Sequence, residues 1–216
     1  MQNCAAEKYS RISRLYDLFE WPMERFVFRR LRIEAVDRAE GRTLEVGVGT
    51  GKNLEHYPAD LDLSAIDFSP GMLDVAAEKA DKLGLSNLDL REMDVEALDY
   101  EDDSFQTVIS TFVFCTVPEP MAGLREIRRV LKPEGRAVFL EHMKSDSHLL
   151  NFFLHIMNVF TRLLLGTSMV RKTLDNIQAA GFEILTVENR LFDVVRIIVA
   201  GKGPGRIQSG DREESG

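Results

Sequence analysis

The sequence predicts a doubly wound α/β protein, and three observations predict it. Short apolar segments rich in β-branched residues alternate with amphipathic helical segments after about residue 42. A glycine-rich turn follows the first of these strands. Two strands near the end of the chain, 183–191 and 194–201, are joined only around Phe192 and Asp193, which is too short for a parallel crossover. We therefore expect a mostly parallel sheet with helices on both faces and one antiparallel strand in a terminal hairpin.

Each element follows from local signals. Strands are expected over 43–48, 62–67, 88–93, 105–113 and 136–142, helices over 118–131 and 169–180, and a turn over 132–135. The best-defined helix has Ser69 as its N-cap, Pro70 at its first position and Gly84 as its stop. Its apolar face should consist of Met72, Leu73, Val75, Ala76, Ala80 and Leu83.

Composition sets the class of protein. The 216 residues, 44% of them hydrophobic and 29% charged, fit a soluble globular chain with one main domain. The net charge of -8 disfavours a nucleic-acid partner. Cys4 and Cys115 form no disulfide or metal-binding pattern, and we expect no metal. With no signal peptide or membrane-spanning stretch recognised, we expect a cytoplasmic protein. We divide it into N-terminal cap helices at 1–40, a main domain at 41–202 and a disordered tail at 203–216.

The glycine-rich turn is the clearest candidate for a binding site. Gly47, Gly49 and Gly51 allow a tight turn and let a ligand lie against bare backbone. A dinucleotide fingerprint requires a third glycine where Lys52 stands, and a P-loop fails at both flanking positions. An adenosyl cofactor without a phosphate is the third interpretation. A dinucleotide-binding enzyme of the NAD type is kept as a distant alternative.

Three carboxylates lie at strand ends near this turn. Glu45 precedes the glycines and is placed for the ammonium end of such a cofactor. Asp67 follows Gly47 by 20 residues and is placed for ribose hydroxyls, although dehydrogenases also use an acid there. Asp94 ends the third strand and is placed for an adenine amino group. Each alone could be a solvated strand-end residue, but all three in register favour the adenosyl cofactor.

Together, several segments resemble class I S-adenosylmethionine-dependent methyltransferases over roughly residues 9–200. These segments are LEVGVGTGKN, AIDFSPGML, Met93-Asp94-Val95, SFQTVISTFVFCTVPEP and RRVLKPEGRAVFLEH. The resemblance implies a Rossmann-like seven-stranded sheet of order 3-2-1-4-5-7-6 with strand 7 antiparallel. It implies S-adenosylmethionine as cofactor and S-adenosylhomocysteine as product. The cofactor residues it implies are Tyr9, Tyr16, Glu45, Gly47, Gly49, Gly51, Asp67, Phe68, Met72, Asp94, Val95 and Thr111.

Two branches of that class are similar to this chain. Tyr16-Asp17 and FVFCTVPEP resemble the phospholipid N-methyltransferase and quinone C-methyltransferase group. Leu140-Glu141-His142 and GTSMVRKTLDNIQAAGF resemble microsomal thiol S-methyltransferases. The quinone enzymes usually carry Gly-Leu-Arg-Asn after strand 4 and the thiol enzymes an N-terminal anchor, and neither is found here. A phospholipid amine headgroup is the first expectation, with small hydrophobic thiols, quinones or other small molecules as alternatives, and a binding protein without turnover as a further one.

Candidate catalytic residues follow from the chemistry of methyl transfer, which requires an acceptor that has lost its proton. His142 is the natural base, because an unperturbed imidazole titrates near neutral pH; its alternative is a structural histidine at a strand end. Tyr16 is the second catalytic candidate, and with Tyr9 it would lie in a first helix over the cofactor, or simply pack as an aromatic. Cys115 is expected to be a buried small side chain.

Two apolar segments bear on partners. In 147–165, His148, Asn151, His155, Asn158 and Arg162 form one helical stripe in an otherwise apolar helix. This helix could be core, a dimer face, an acceptor pocket or a membrane-surface contact. In 18–33, aromatic residues alternate with arginines, which suits either anionic lipid or a solvated basic face. We expect a small-molecule or lipid acceptor, with peripheral membrane contact and the oligomeric state left open.

Overall fold

A computed structural model describes residues 28–143, 173–191 and 194–203. Their centre is a seven-stranded sheet of order β3-β2-β1-β4-β5-β7-β6, which confirms the order that the resemblance implied. β1 lies between β2 and β4, parallel to both. β7 is antiparallel to its neighbours β5 and β6, as the short connection between the last two strands predicted.

The elements follow the order that the hydrophobic pattern predicted, but among the described residues no helix lies between β3 and β4, and only a 3-10 turn lies between β1 and β2. In order they are α1 (Arg29–Val36), β1 (Thr43–Val46), a 3-10 turn (Leu54–His56), β2 (Leu63–Asp67), α2 (Pro70–Leu83), β3 (Leu88–Glu92), β4 (Phe105–Thr111), α3 (Pro120–Val130), β5 (Leu131–His142), α4 (Thr173–Ala179), β6 (Glu183–Arg190) and β7 (Val195–Gly201).

Two of the strands, β1 and β4, end two residues earlier than predicted. β1 stops at Val46 because the next residue, Gly47, has a φ of 66° and turns the chain away from the sheet. β4 stops at Thr111 because Phe112 has a φ of 59°. In both cases the apolar pattern continues beyond the last residue of the strand. The strand ends because the backbone dihedral changes, although the hydrophobic pattern does not.

β5 begins earlier than predicted. Leu131 pairs with Phe105 and Arg136 pairs with Thr107, so residues 132–135 lie opposite a single residue of β4. The expected turn over 132–135 is therefore a bulge inside a longer strand. Bulges of this kind bend a strand without ending its pairing.

The limits of α2 agree with the sequence. Pro70 is the first helical residue, and Gly84 ends the helix in the left-handed region at a φ of 68°, where a residue without Cβ is unstrained. The face toward the sheet is narrower than expected, because only Met72, Ala76 and Ala80 are fully buried. Leu83 was wrongly placed on that face and is 43% exposed.

The core forms one layer on each face of the sheet. Alternate residues of β4 and β5 point to opposite sides, so Val108 and Phe139 join one layer while Ile109 and Leu140 join the other. The first layer is covered by α3 and α4, and the second by α1 and α2. This doubly covered sheet confirms the predicted fold class and leaves the carboxyl ends of its strands to form a site.

Several expectations concern residues outside the described ones. Tyr9, Tyr16, the helix at 147–165, most of the segment 18–33 and the tail after 203 all lie there, as does the Phe192-Asp193 connection. Of the expected cap at 1–40, the structure describes α1. The division into cap, main domain and tail stays a prediction. Within residues 28–143, 173–191 and 194–203, no helix is long and apolar enough to cross a membrane.

Candidate cofactor and acceptor site

The carboxyl ends of β1, β2 and β4 meet at one edge of the sheet. The chain leaves β1 toward β2 on one side, whereas β4 lies on the other side of β1, so the strand order reverses here. In open α/β sheets, ligands bind in the crevice at such a reversal. The edge carries the predicted glycine turn, Asp67 and Thr111.

The turn after β1 needs glycines for two separate reasons. Gly47, Gly49 and Gly51 all have positive φ, at 66°, 55° and 74°, where other residues are strained. A Cβ on Gly47 would also lie 2.5 Å from Cγ2 of Val113, closer than carbon atoms can approach. The bare backbone therefore lets the segment after β4 pack directly on this turn.

Asp67 ties the glycine turn to the end of β2. Its Oδ2 accepts a hydrogen bond from the amide of Gly49 at 2.9 Å, and its Oδ1 accepts one from the amide of Ser69 at 2.9 Å. Burial raises the pKa of the Asp67 carboxyl, and the backbone hydrogen bonds oppose that shift. A carboxylate offers about four acceptor positions, so Asp67 can still accept a hydrogen bond from a hydroxyl group.

Glu45 is the most deeply buried carboxylate of the turn, at 1% exposure. Its Oε1 accepts a hydrogen bond from Nδ2 of Asn53 at 2.8 Å. Burial raises its pKa to about 7, against the lowering effects of the Asn53 hydrogen bond and the Arg32 charge. The Tyr57 hydroxyl lies beside this carboxylate and also lowers its pKa, although neither Oε2 nor the hydroxyl makes a hydrogen bond of normal geometry within the described residues. A buried carboxylate oxygen whose hydrogen bonding is incomplete favours binding of a positively charged donor.

Arg32 belongs to the same site and was missed from the sequence. It is only 8% exposed, and its Nη1 donates to Oγ1 of Thr111 at 2.8 Å and to Oδ1 of Asn53 at 3.3 Å. Nδ2 of Asn53 also donates to the Thr111 hydroxyl at 3.0 Å. α1 and the 3-10 turn thus bring a buried cation beside Glu45.

The sequence held a signal for Arg32. The alternation in segment 18–33 predicts that its arginines share one basic face toward solvent or lipid. Arg29 and Arg30 are exposed, but Arg32 lies one turn before Val36, on the buried side of α1. For Arg32 the expectation is wrong, because its helical position, and not its charge, decides which way it points.

The residues expected around the adenine lie at the ends of β2 and β3. Phe68 is 36% exposed beside Asp67, whereas Met72 is buried in the first turn of α2. The Met93 amide donates to the Asp67 carbonyl, which brings the end of β3 next to the end of β2. Asp94 Oδ1 caps the amide of Glu96 at 2.9 Å, and Val95 is buried beneath it. The structure brings these residues to the same edge, and their roles stay predictions.

His142 lies at the carboxyl end of β5, on the other side of β4 from the glycine turn. Its ring contacts Phe112, with the two ring centres 4.6 Å apart, and Phe28, at 5.6 Å. The guanidinium of Arg32 lies over the Phe112 ring, 5.1 Å from its centre. Cys115 is only partly buried, not fully as expected, and its thiol donates to the Phe112 carbonyl at 3.3 Å.

Comparison with known proteins places this edge in a family. Residues 44–139 match the model of the methyltransferase domain family. A phosphatidylethanolamine N-methyltransferase of Cereibacter sphaeroides is 40% identical over 119 residues, which are 55% of this chain and 59% of that protein. The matched part is therefore less than two thirds of that relative's length.

Two further comparisons extend the match. A SAM-dependent methyltransferase of Thermotoga maritima shares the fold with a TM-score of 0.70, at 19% identity over 91% of this chain and 99% of that one. A demethylmenaquinone methyltransferase of Deinococcus radiodurans is 34% identical over 168 residues, which are 73% of this chain and 68% of that protein. Similarity of that identity and extent shows that the chain belongs to the S-adenosylmethionine-dependent methyltransferases.

Proposed function

We propose that the protein transfers a methyl group from S-adenosylmethionine to the amine of a phospholipid headgroup. The observation that carries this proposal is the 40% identity with the phosphatidylethanolamine N-methyltransferase of Cereibacter sphaeroides, together with an edge of the sheet that fits the cofactor. The cofactor, when bound, supplies an electrophilic methyl group on a sulfonium. Everything else that the reaction needs must come from side chains of this chain.

The residues at the edge fit the amino-acid end of the cofactor. The buried carboxylate of Glu45 suits an ammonium group, because its Oε2 makes no hydrogen bond of normal geometry within the described residues, and Arg32 beside it suits a carboxylate. Because Thr111 and Asn53 hold the Arg32 guanidinium, its direction is set before any ligand arrives. A cation and an anion side by side match the two opposite charges of an amino acid.

The nucleoside end would be held by the other group of residues. Asp67 would accept the ribose hydroxyls, while its bonds to the amides of Gly49 and Ser69 keep the carboxylate in place. Phe68 and Met72 would lie beside the adenine, with Asp94 and Val95 at its edge. The positive φ values of the glycine turn would let the ligand lie against backbone that carries no side chain.

On the acceptor side, an ammonium has no free lone pair, so it must lose a proton before it can attack. His142 would take that proton, since imidazole titrates near neutral pH. Contact with Phe112 and Phe28 holds its ring, which is partly buried. The Arg32 charge above Phe112 further favours a neutral amine over an ammonium nearby, because like charges repel.

Methylation of a quinol carbon is the second candidate, and one observation favours it. The demethylmenaquinone methyltransferase of Deinococcus radiodurans covers more of this chain, 73%, than the phospholipid relative does. The residues at the end of β4 and just after it, Thr-Phe-Val-Phe, differ from the Gly-Leu-Arg-Asn typical of quinone enzymes, which favours the amine.

Transfer of labelled methyl groups tests the proposal. The protein is incubated with labelled S-adenosylmethionine and three separate acceptors, which are phosphatidylethanolamine vesicles, a reduced demethylmenaquinone and a panel of alkyl and aryl thiols. Asp67→Asn serves as the control that should lose label in every arm. Label in the amine lipid supports the proposal. Label only in the quinol or the thiols, or in no arm while S-adenosylhomocysteine still binds, overturns it.

A further inference from the structure

We infer that Glu141 is a positioning residue that holds residues 112–116, the first part of the β4–α3 loop, against the glycine turn. The inference rests on the proposed methyl transfer, in which the acceptor and the methyl group must be aligned. Glu141 is fully buried next to His142 at the carboxyl end of β5. None of the roles proposed above uses it.

Three hydrogen bonds converge on one oxygen of Glu141. Its Oε1 accepts hydrogen bonds from the amide of Val113 at 3.0 Å and from the amide of Phe114 at 3.1 Å. The hydroxyl of Ser110 adds a third donor at 3.3 Å. Burying a carboxylate is costly unless such donors satisfy it, and two successive amides on one anion form a specific backbone cradle.

The cradle exists because the chain turns sharply at Phe112. This residue has a φ of 59°, a conformation that a bulky side chain rarely adopts. Its own amide still pairs with the carbonyl of Leu140 at 2.8 Å, so the sheet holds it on one side. Glu141 holds the next two amides on the other side, and the strained turn is fixed between them.

Fixing this turn positions both halves of the site. Val113 packs on the bare backbone of Gly47. A Cβ added to Gly47 would lie only 2.5 Å from Cγ2 of Val113. The Phe112 ring contacts the proposed base, His142, and lies under the Arg32 guanidinium. Oε1 of Glu141 therefore sets the distance between the glycine turn and His142 on the acceptor side. Displacement of reacting groups by about 1 Å can lower a rate about 100-fold.

A purely structural role would predict only a loss of stability, and Thr107 offers a matched control. It is buried on the same strand as Ser110, at the opposite end. Its hydroxyl accepts from the Glu40 amide at 3.1 Å and donates to the Glu40 carbonyl at 2.8 Å. Thr107→Val removes two buried hydrogen bonds far from the site without a large change in volume.

The test compares Glu141→Ala, Glu141→Gln and Glu141→Asp with Thr107→Val. Gln keeps an acceptor oxygen, whereas Asp keeps the charge and moves the oxygen away. We expect Glu141→Ala to lower kcat about 100-fold and Glu141→Asp to lower it at least about tenfold. The kcat of Glu141→Gln should stay within about tenfold of the wild-type value. Thr107→Val should lower Tm and leave kcat within about threefold.

A second measurement does not need turnover. Hydrogen exchange of the amides of Val113 and Phe114 is followed with and without S-adenosylhomocysteine. We expect Glu141→Ala and Glu141→Asp to speed exchange at these two amides by at least about tenfold, and Thr107→Val not to do so. If no lipid amine is methylated by the wild type, the proposed acceptor is wrong, and exchange alone decides the role of Glu141. Unchanged exchange in the Asp variant, or equal effects from Thr107→Val, overturns the inference.

Discussion

Replacing Glu45 by Gln should stabilise the protein without cofactor at alkaline pH while weakening its binding of cofactor. Glu45 is buried, and burial raises the pKa of its carboxyl from 4.5 to about 7. The folded protein therefore holds this proton more tightly than the unfolded chain does. Between about pH 4.5 and pH 7 the folded state binds more protons, so this group's contribution to stability falls as the pH rises.

The size of the effect follows from the two pKa values. One pKa unit corresponds to about 1.4 kcal/mol, so ionised Glu45 costs the folded protein about 3 kcal/mol above pH 7 and nothing below about pH 4.5. Gln can still accept the hydrogen bond from Asn53, and its amide can face the Tyr57 hydroxyl. At pH 8 the variant should therefore unfold with a Tm about 10 °C higher than the wild type, and at pH 4.5 with nearly the same Tm.

The assay is thermal unfolding for Tm and urea unfolding for the free energy of unfolding, both at several pH values without cofactor. Glu134→Gln is an exposed control that should follow the wild type. Calorimetry at pH 8 then measures the affinity for S-adenosylhomocysteine, which should fall at least about tenfold when the carboxylate facing the ammonium is lost. A difference in unfolding free energy that is the same at pH 5 and pH 8 would refute the raised pKa. Undiminished cofactor affinity would refute the proposed contact with the ammonium.

Three further substitutions test the remaining roles. Arg32→Met should weaken S-adenosylhomocysteine at least about tenfold but leave 5′-methylthioadenosine unchanged, since only the former carries a carboxylate; equal losses in calorimetry would remove Arg32 from the amino-acid end. Asp67→Asn should weaken both ligands about tenfold or more, whereas the exposed Asp89→Asn should change neither; unaltered affinities would exclude Asp67 from ribose binding. His142→Ala should lower turnover more than cofactor affinity in the methyl-transfer assay, and normal turnover would leave His142 structural.

The order of elements and the glycine turn could be predicted from the sequence because their signals are local. Glycines at 47, 49 and 51 follow a buried strand, and each indeed has positive φ. Pro70 and Gly84 mark the ends of α2. Hydrophobic alternation did not predict two strand limits correctly. β4 ends where the backbone dihedral of Phe112 turns the chain, and β5 begins early because its pairing with β4 continues around a bulge.

The composition of the site depended on contacts between distant parts of the chain. Arg32 meets Thr111 across 79 positions. Its helical position places it on the buried side of α1, unlike the exposed Arg29 and Arg30, but the local sequence does not show which residues it meets there. Glu141 meets the amide of Val113 across 28 positions. The amide groups it binds point toward it only because Phe112 adopts a left-handed conformation.

The sequence by itself determined the fold class, the terminal hairpin, the glycine turn and the carboxylates at the ends of β1, β2 and β3. These follow from periodicity, backbone freedom and connection length, which act over a few neighbouring residues. Only the tertiary structure decided that Glu45 is buried deeply enough to titrate near pH 7, that a cation lies beside it, and that Glu141 holds the β4–α3 loop. Desolvation and hydrogen bonding depend on which residues the fold brings together, and the linear order of residues does not state this.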